Sequence, residues 1–323
     1  MIDPFAETDS DFLGSTLAAL STVAPEEALN SLGWSDLLPH LDDADARQAL
    51  FGLFRAQGRL LVNSSALATL MAHPYLANGW GSTSHVATIQ RESPRHGSRT
   101  VIMSTPPIGN LLIDRPGEGV RIVASSEVAI RPIDLPGHVN LQEVEVDLVG
   151  VPIAIPEEEA AILRAQSQYL GRTALAFDML GASESALKLA VDHARDREQF
   201  GQPIGSFQAV RHLLAWARVD CAALSAVAEQ VIDSEEQFLP GYDAIVKALA
   251  GRNGQRVCQR TLQVLGAIGF TTEHQHHHFY SRILCMDSLL GSSAALSYEL
   301  ASKYRTSMGA FPDVTLHAAV QAN

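Results

Sequence analysis

Between Pro156 and Pro203 the chain contains no proline, and Ile155-Pro156-Glu157-Glu158-Glu159 opens this stretch as a helix start. Proline suits a first turn, and the three acids oppose the positive end of the helix dipole. A helix continuing to Arg197 would be roughly 60 Å long at the usual rise per residue. Such a helix cannot hide its apolar face alone, so it demands partner helices and therefore a bundle. Further helical patterns cover Phe207–Glu235, Tyr242–Leu265, His278–Leu290 and Ser292–Thr306.

Upstream, Asp11 to about Leu76 reads as helical, with a start at Pro25 and helical apolar spacing from Asp43 to Met71. From Asn78-Gly79-Trp80-Gly81 the texture changes. Thr100–Met103, Leu111–Ile113, Val120–Val123 and Val144–Val149 read as strands, and Pro116-Gly117 and Pro136-Gly137 as turns. The expected organisation is a helical unit over 1–78, a small β unit over 79–153, a helical bundle over 154–310 and a tail over 311–323. No internal repeat stands out.

The 323 residues carry a net charge of −13, which argues against nucleic acid or an anionic membrane as a partner. No apolar run approaches the about 20 residues of a membrane span. The acidic N-terminus lacks a positively charged leader, and Cys221, Cys258 and Cys285 lie far apart without a CxxC. The expectation is a cytoplasmic protein with no disulfide framework.

The break after the long helix carries the chemistry. Arg197 and Gln208 flank Gly201, Pro203 and Gly205, so a guanidinium and an amide can converge on one ligand. A planar guanidinium matches phosphate oxygens two at a time. The run Arg197 to Gln208, RxQFGxPIxxFQ, closely resembles a signature of acyl-CoA dehydrogenases. In that family the Arg, Phe and Gln contact FAD bound mainly by the neighbouring subunit. The resemblance therefore implies FAD contacts from Arg197, Phe200 and Gln208. Gln263-Val264-Leu265-Gly266-Ala267-Ile268-Gly269 resembles the family's QxxGGxG segment along the adenosine and pyrophosphate of FAD. It implies roles for Gln263, Gly266 and Gly269, with Ala267 standing where the family usually has a second Gly. The implied fold is mainly α: N-terminal helices, a middle β barrel and a C-terminal four-helix bundle.

Desaturating an acyl thioester requires a carboxylate within reach of an acidic proton. The resemblance puts the family's Glu at one of two positions, occupied here by Ala176 and Leu290, neither of which accepts a proton. Asp178, Glu184 and Glu299 are the nearby carboxylates to weigh as relocated bases; each reads better as solvated or ion-paired. The family's Thr-Glu-Pro-x-x-Gly-Ser-Asp segment is not found: Asn78–Ser82 shares only a Gly-Ser pair with it, and Ser104–Pro107 only a Thr and a Pro. This combination resembles the short subunits of actinobacterial heteromeric acyl-CoA dehydrogenases. It implies an α2β2 heterotetramer in which a companion supplies the catalytic Glu. It also implies an acyl-CoA substrate, commonly a steroid side-chain thioester, with an electron-transfer flavoprotein as acceptor. A structural partner without flavin contacts and a self-sufficient flavin oxidoreductase of the same fold are the alternatives.

Four imidazoles cluster at His274, His276, His277 and His278. They lack a Cys or carboxylate pair to complete a tetrahedral set, so a loop after the glycine segment, near the nucleotide, is preferred to a metal site. Ser183, Ser185 and Ser292 lack a His-acid relay. Lys247, Arg252, Arg256 and Arg260 read as solvated or interface charge, with a CoA phosphate as the other reading.

Overall fold

The computed structural model describes residues 11–82, 85–93, 97–103, 109–234 and 238–307. The expected tail and the end of the expected bundle from 308 lie outside them, as does Ser104–Pro107.

The N-terminal part contains α1 (Asp11–Thr22), α2 (Pro25–Ser31), a 3-10 turn (Trp34–His40), α3 (Ala44–Leu60) and α4 (Ala66–Ala77). Pro25 sits in the first turn of α2, as its sequence position predicts. The continuous pattern expected from Asp43 to Met71 is broken at Leu61, which adopts φ 57° and caps α3. Asp43 caps the other end, its carboxylate accepting from the Asp45 amide at 2.9 Å.

Among the described residues the β unit holds seven strands in two sheets. One orders β1 (His85–Ala87), β4 (Asn110–Arg115) and β5 (Gly119–Ala124) as β1-β4-β5. The other orders β2 (Ile89–Ser93), β3 (Gly97–Ile102), β6 (Ala129–Ile133) and β7 (Leu141–Glu145) as β2-β3-β7-β6. β1 and β4 run parallel, with Val86 opposite Leu111; the other pairings are antiparallel, as in Leu112 opposite Ile122. The expected closed barrel does not form among the described residues. The chain leaves the first sheet at Thr88, whose amide and hydroxyl both donate to the Leu112 carbonyl, and enters the second at Ile89. Val86, Leu111, Ile113 and Val123 of one sheet share an apolar cluster with Ile102 and Val144 of the other. The strand expected over Val144–Val149 stops at Glu145, and beyond it the Asp147 carboxylate accepts from the Val149 amide at 2.9 Å. Both expected turns are present, with Gly117 and Gly137 at φ 84° and 90°.

The long helix is α5 (Glu157–Asp196), 40 residues without interruption. It packs on α3, on α6 (Gln208–Asp233), on α7 (Tyr242–Leu265) and on α8 (His276–Asp287), while α9 (Ser293–Ser307) packs on α7. Glycine permits the close crossing of α3 and α5: a Cβ at Gly181 would overlap the Arg55 carbonyl, and one at Gly58 the Asp178 carbonyl. The start of α5 is tied to the β unit. Arg164 bonds both oxygens of Asp114 at 2.7 Å and those of Glu157 at 2.9 and 2.8 Å. Arg164 holds the Glu157 carboxyl down at about 2. Among the described residues no helix is long and apolar enough to cross a membrane.

Candidate functional site

α5 ends at Asp196, and Arg197 turns the chain out of the helix at φ −82°, ψ 120°. A two-stranded hairpin follows, Glu198–Gln199 (β8) against Gln202–Pro203 (β9). Its two-residue loop places Phe200 at φ 55° and Gly201 at φ 79°, both left-handed, as a tight hairpin of this twist requires. The Arg197 carbonyl accepts from the Ile204 amide at 2.7 Å, so the chain returns beside its starting point before α6 begins at Gln208. Phe200 is 93% exposed and meets the Phe207 ring edge-on, with centroids 6.1 Å apart.

A small apolar cluster binds three helix ends together. Ala190 and Ala194 of α5 pack with Val264 and Leu265 of α7, and Ile204, Val210 and Leu213 close over them. The two segments singled out in the sequence therefore meet at one end of the bundle. Arg197, Gln208 and Gln263 are solvent-exposed there, and the Arg197 guanidinium has no hydrogen-bond or ion-pair partner among the described residues. Gly266 caps α7 at φ 64°, ψ −140°, with open space where a Cβ would stand. Gly269 instead turns inward, where a Cβ would press on Leu262 and Leu265. Between α6 and α7 lies an open groove of about 410 Å³ lined by Ala209, Leu213, Gln259, Arg260 and Gln263. Exposed Ile268 and Phe270 lie just past Gly266. A free cation, two amides, an unobstructed backbone and apolar side chains suit a phosphate-bearing nucleotide arriving from outside.

His274 lies in the loop after the glycine segment, as expected, whereas His276, His277 and His278 open a helix. α8 starts at His276, which is buried, with Nε2 2.8 Å from the Thr261 hydroxyl. Burial pushes the His276 ring down to about 4. The His277 and His278 rings lie tilted with centroids 3.8 Å apart, and His278 reaches His138 of the β unit at 4.3 Å. Burial and the His193 charge lower the basicity of His274, and burial and the Arg197 charge lower that of His193. His193 and His138 escaped the sequence reading; the signal for His193 is its place one helical turn before Arg197. No three His, Cys, Asp or Glu side chains are arranged to hold a metal among the described residues.

The two positions that the resemblance assigns to the family's Glu lie deep in the fold. Ala176 is fully buried in α5. Leu290 adopts φ 54° ahead of Gly291 at φ 96° and fills the space beside Gly171 and Met71. The carboxylates around them are committed. Asp178 bonds Arg282 twice, at 2.8 and 2.7 Å. Glu184 takes Arg55 at 3.1 and 2.5 Å and Arg59 at 2.7 Å, while Glu299 pairs with Lys303. Lys247 is not solvated charge: it is wholly buried and donates to the carbonyls of Asp287 and Gly291 at 3.1 and 3.2 Å. Desolvation lowers its ammonium to about 8. Arg252 and Arg256 are exposed, and Arg260 pairs with Asp220. Ser183 and Ser185 donate to helix carbonyls, and the Ser292 hydroxyl accepts from the Ala295 amide.

Residues 165–302 match the family described as acyl-CoA dehydrogenase, C-terminal domain. The acyl-CoA dehydrogenase FadE34 of Mycobacterium tuberculosis is 29% identical over 292 residues, which cover 87% of this chain and 40% of that protein. The chain thus spans about two fifths of the length of that relative. A variant of the Tcur3481–Tcur3483 steroid acyl-CoA dehydrogenase has a similar fold, with TM-score 0.76 at 20% identity over 92% of this chain and 98% of that one. The ChsE4–ChsE5 complex from Mycobacterium tuberculosis gives TM-score 0.69 at 19% identity over 97% and 100%.

Proposed function

We propose that the chain is one subunit of a flavin-dependent acyl-CoA dehydrogenase that α,β-desaturates a CoA thioester, a reading supported by the match of residues 165–302 to that family's C-terminal domain and by the likeness to FadE34. In this reading it grips FAD from its bundle end, while a companion subunit supplies the catalytic carboxylate. The observation that carries it is a contrast within one molecule. Arg197 stands exposed and unpaired beside Gln208, Gln263 and Gly266, whereas Ala176 and Leu290 offer no base and Asp178 and Glu184 are locked in ion pairs.

When bound, FAD would accept the hydride leaving the β-carbon of the thioester. This chain's part is binding. The Arg197 guanidinium would pair with diphosphate oxygens, Gln208 and Gln263 would hydrogen-bond the nucleotide, and Gly266 would let the backbone approach it. The exposed ring of Phe200, held on a tight hairpin, would cover the nucleotide from water. Gripping phosphate and abstracting a proton are separable tasks, so two chains can divide them.

The heteromeric assembly is supported by the ChsE4–ChsE5 complex, and a steroid thioester by the description of Tcur3481–Tcur3483. An α2β2 arrangement, an electron-transfer flavoprotein as acceptor and a cytoplasmic location belong to the same reading. So does a division into units at 1–78, 79–153 and 154–310. The test is co-expression. The chain alone is expected to be colourless or unstable, and the complex yellow, with Arg197→Ala lowering its flavin occupancy. A stable yellow homomer that oxidises acyl-CoA unaided would overturn the proposal.

A further inference from the structure

Three imidazoles line the seam between the β unit and the bundle, and the proposed flavin grip gives them no task. His138 lies on the loop joining β6 to β7, and His277 and His278 stand in the first turn of α8. The His278 ring is the middle of the row, its centroid 3.8 Å from that of His277 and 4.3 Å from that of His138. The backbone brings these rings together. A Cβ on Gly137 would overlap the Arg282 amide and press on the His278 carbonyl, so the loop lies directly on α8. The His138 carbonyl accepts from Arg282 Nη1 at 3.1 Å and from the Asn63 side-chain amide. His138 itself holds a left-handed φ of 52°, a conformation that needs its surroundings to maintain it.

The folded row disfavours a proton. An imidazolium presents two N–H donors, yet Nδ1 of His278 is buried without a hydrogen-bond partner. Nδ1 of His277 already bonds the His274 carbonyl at 2.7 Å. Both residues sit at a helix start, where the dipole opposes positive charge. We propose that His138, His277 and His278 form a latch between the β6–β7 loop and α8, closed while the rings are neutral and opened when acid charges them. It uses none of the residues of the flavin grip and stands independently of that reading. The surrounding charges do not offset an imidazolium there. Arg282 adds a cation one turn after His278, and Asp178 of α5 is bound twice to that guanidinium. His276 turns to the Thr261 hydroxyl of α7, and Gln259 of α7 meets the Tyr280 hydroxyl. β2 brings Arg91 towards α8, and His274 and His193 add imidazoles. The acids of the flanking loops, Asp134 and Glu273, are exposed. Burial and the charges of His277 and His138 hold His278 below its ordinary 6.5. An open loop releases it to that value, so protons favour the open form. The latch is shut above about pH 6.5 and loosens as pH falls below it.

Amide hydrogen exchange of the full-length chain, read by mass spectrometry at about pH 7.5 and about pH 5.5 and corrected for the intrinsic pH dependence of exchange, tests the latch. Segments 134–141 and 276–282 should lose at least about fivefold in protection at the acid pH, while the central strand β4 keeps its own. His138→Asn, whose new side chain tolerates the left-handed backbone, and His278→Gln should each abolish that loss. His278→Lys should open both segments at either pH. A melting temperature near the parent's shows that a variant is folded. Because His138 is exposed, its variant decides the matter if changes at His278 disturb folding. The latch is overturned if the parent shows no loss at the seam, or if a folded His138→Asn or His278→Gln variant responds to acid as the parent does. Equal loss of protection in β4 also overturns it, since the proton would then act on the whole fold, as through His276.

Discussion

Arg282 on α8 and Asp178 on α5 meet through two charge-assisted hydrogen bonds, Nε to Oδ1 at 2.8 Å and Nη2 to Oδ2 at 2.7 Å, both side chains at most 1% exposed. The same guanidinium donates to the carbonyls of Val62 and His138 at 2.8 and 3.1 Å. Gly137 next to it approaches α8 so closely that a Cβ would strike the Arg282 amide. One side chain thus ties the bundle, the α3–α4 loop and the β unit together.

Removing one partner of this pair leaves the other charge buried. Asp178→Asn should cost about 3–5 kcal/mol in urea unfolding followed by circular dichroism. A loss below about 1 kcal/mol would mean that the surrounding carbonyls already satisfy the guanidinium.

Leu290 packs against Gly171 and Met71 on a left-handed backbone, held by the Arg172 side chain donating to its carbonyl at 2.9 Å. Leu290→Glu introduces the residue type that the resemblance implies there but puts a carboxylate into an apolar niche. It should destabilise the chain by about 1–3 kcal/mol and confer no acyl-CoA oxidation on the isolated polypeptide. Turnover by that variant alone, above the background of the parent, would argue that only the base had been lost.

Phe200 holds a left-handed conformation that costs a side-chain-bearing residue about 1–2 kcal/mol. Phe200→Gly should therefore leave the melting temperature unchanged or higher while the complex retains less flavin. Lower stability with full flavin retention would assign the ring to packing on Phe207 instead of to the nucleotide.

His276 sits near 4 in the folded chain against an ordinary 6.5. Between those values the unfolded chain binds more protons than the folded one, so stability is full above about pH 6.5 and declines as pH falls towards 4. The decline should amount to about 3 kcal/mol in denaturant titrations across that window. His276→Gln should remove most of this slope, and an unchanged slope would point to the other depressed histidines.

Much of the architecture is written locally. The triple glutamate after Pro156, the proline-free run behind it and the Gly-Pro-Gly break after Arg197 announce a long helix and its end. Helix propensity, dipole and turn chemistry act over a few residues. Leu61 misleads because a lone left-handed leucine carries no turn signature. The strands Ile89–Ser93 and Ala129–Ile133 are too polar or too short to stand out, and Thr88, where the chain changes sheets, looks like any strand residue.

The exposed Arg197 with Gln208, and separately Gln263 with Gly266, could be located from order alone, since the residues within each segment are close in sequence. The fate of the carboxylates could not. Asp178 and Arg282 lie 104 residues apart and Arg55 and Glu184 129 apart. Whether such groups are free or paired is settled only when packed helices bring them together and exclude water. The same holds for Lys247, which in a list of basic residues is one charge among four and in the fold is a buried bracket for the loop that carries Leu290. Local backbone preferences specified the helices and the break; desolvation and long-range partnering, which exist only in the folded state, decided which charges stayed available to a ligand.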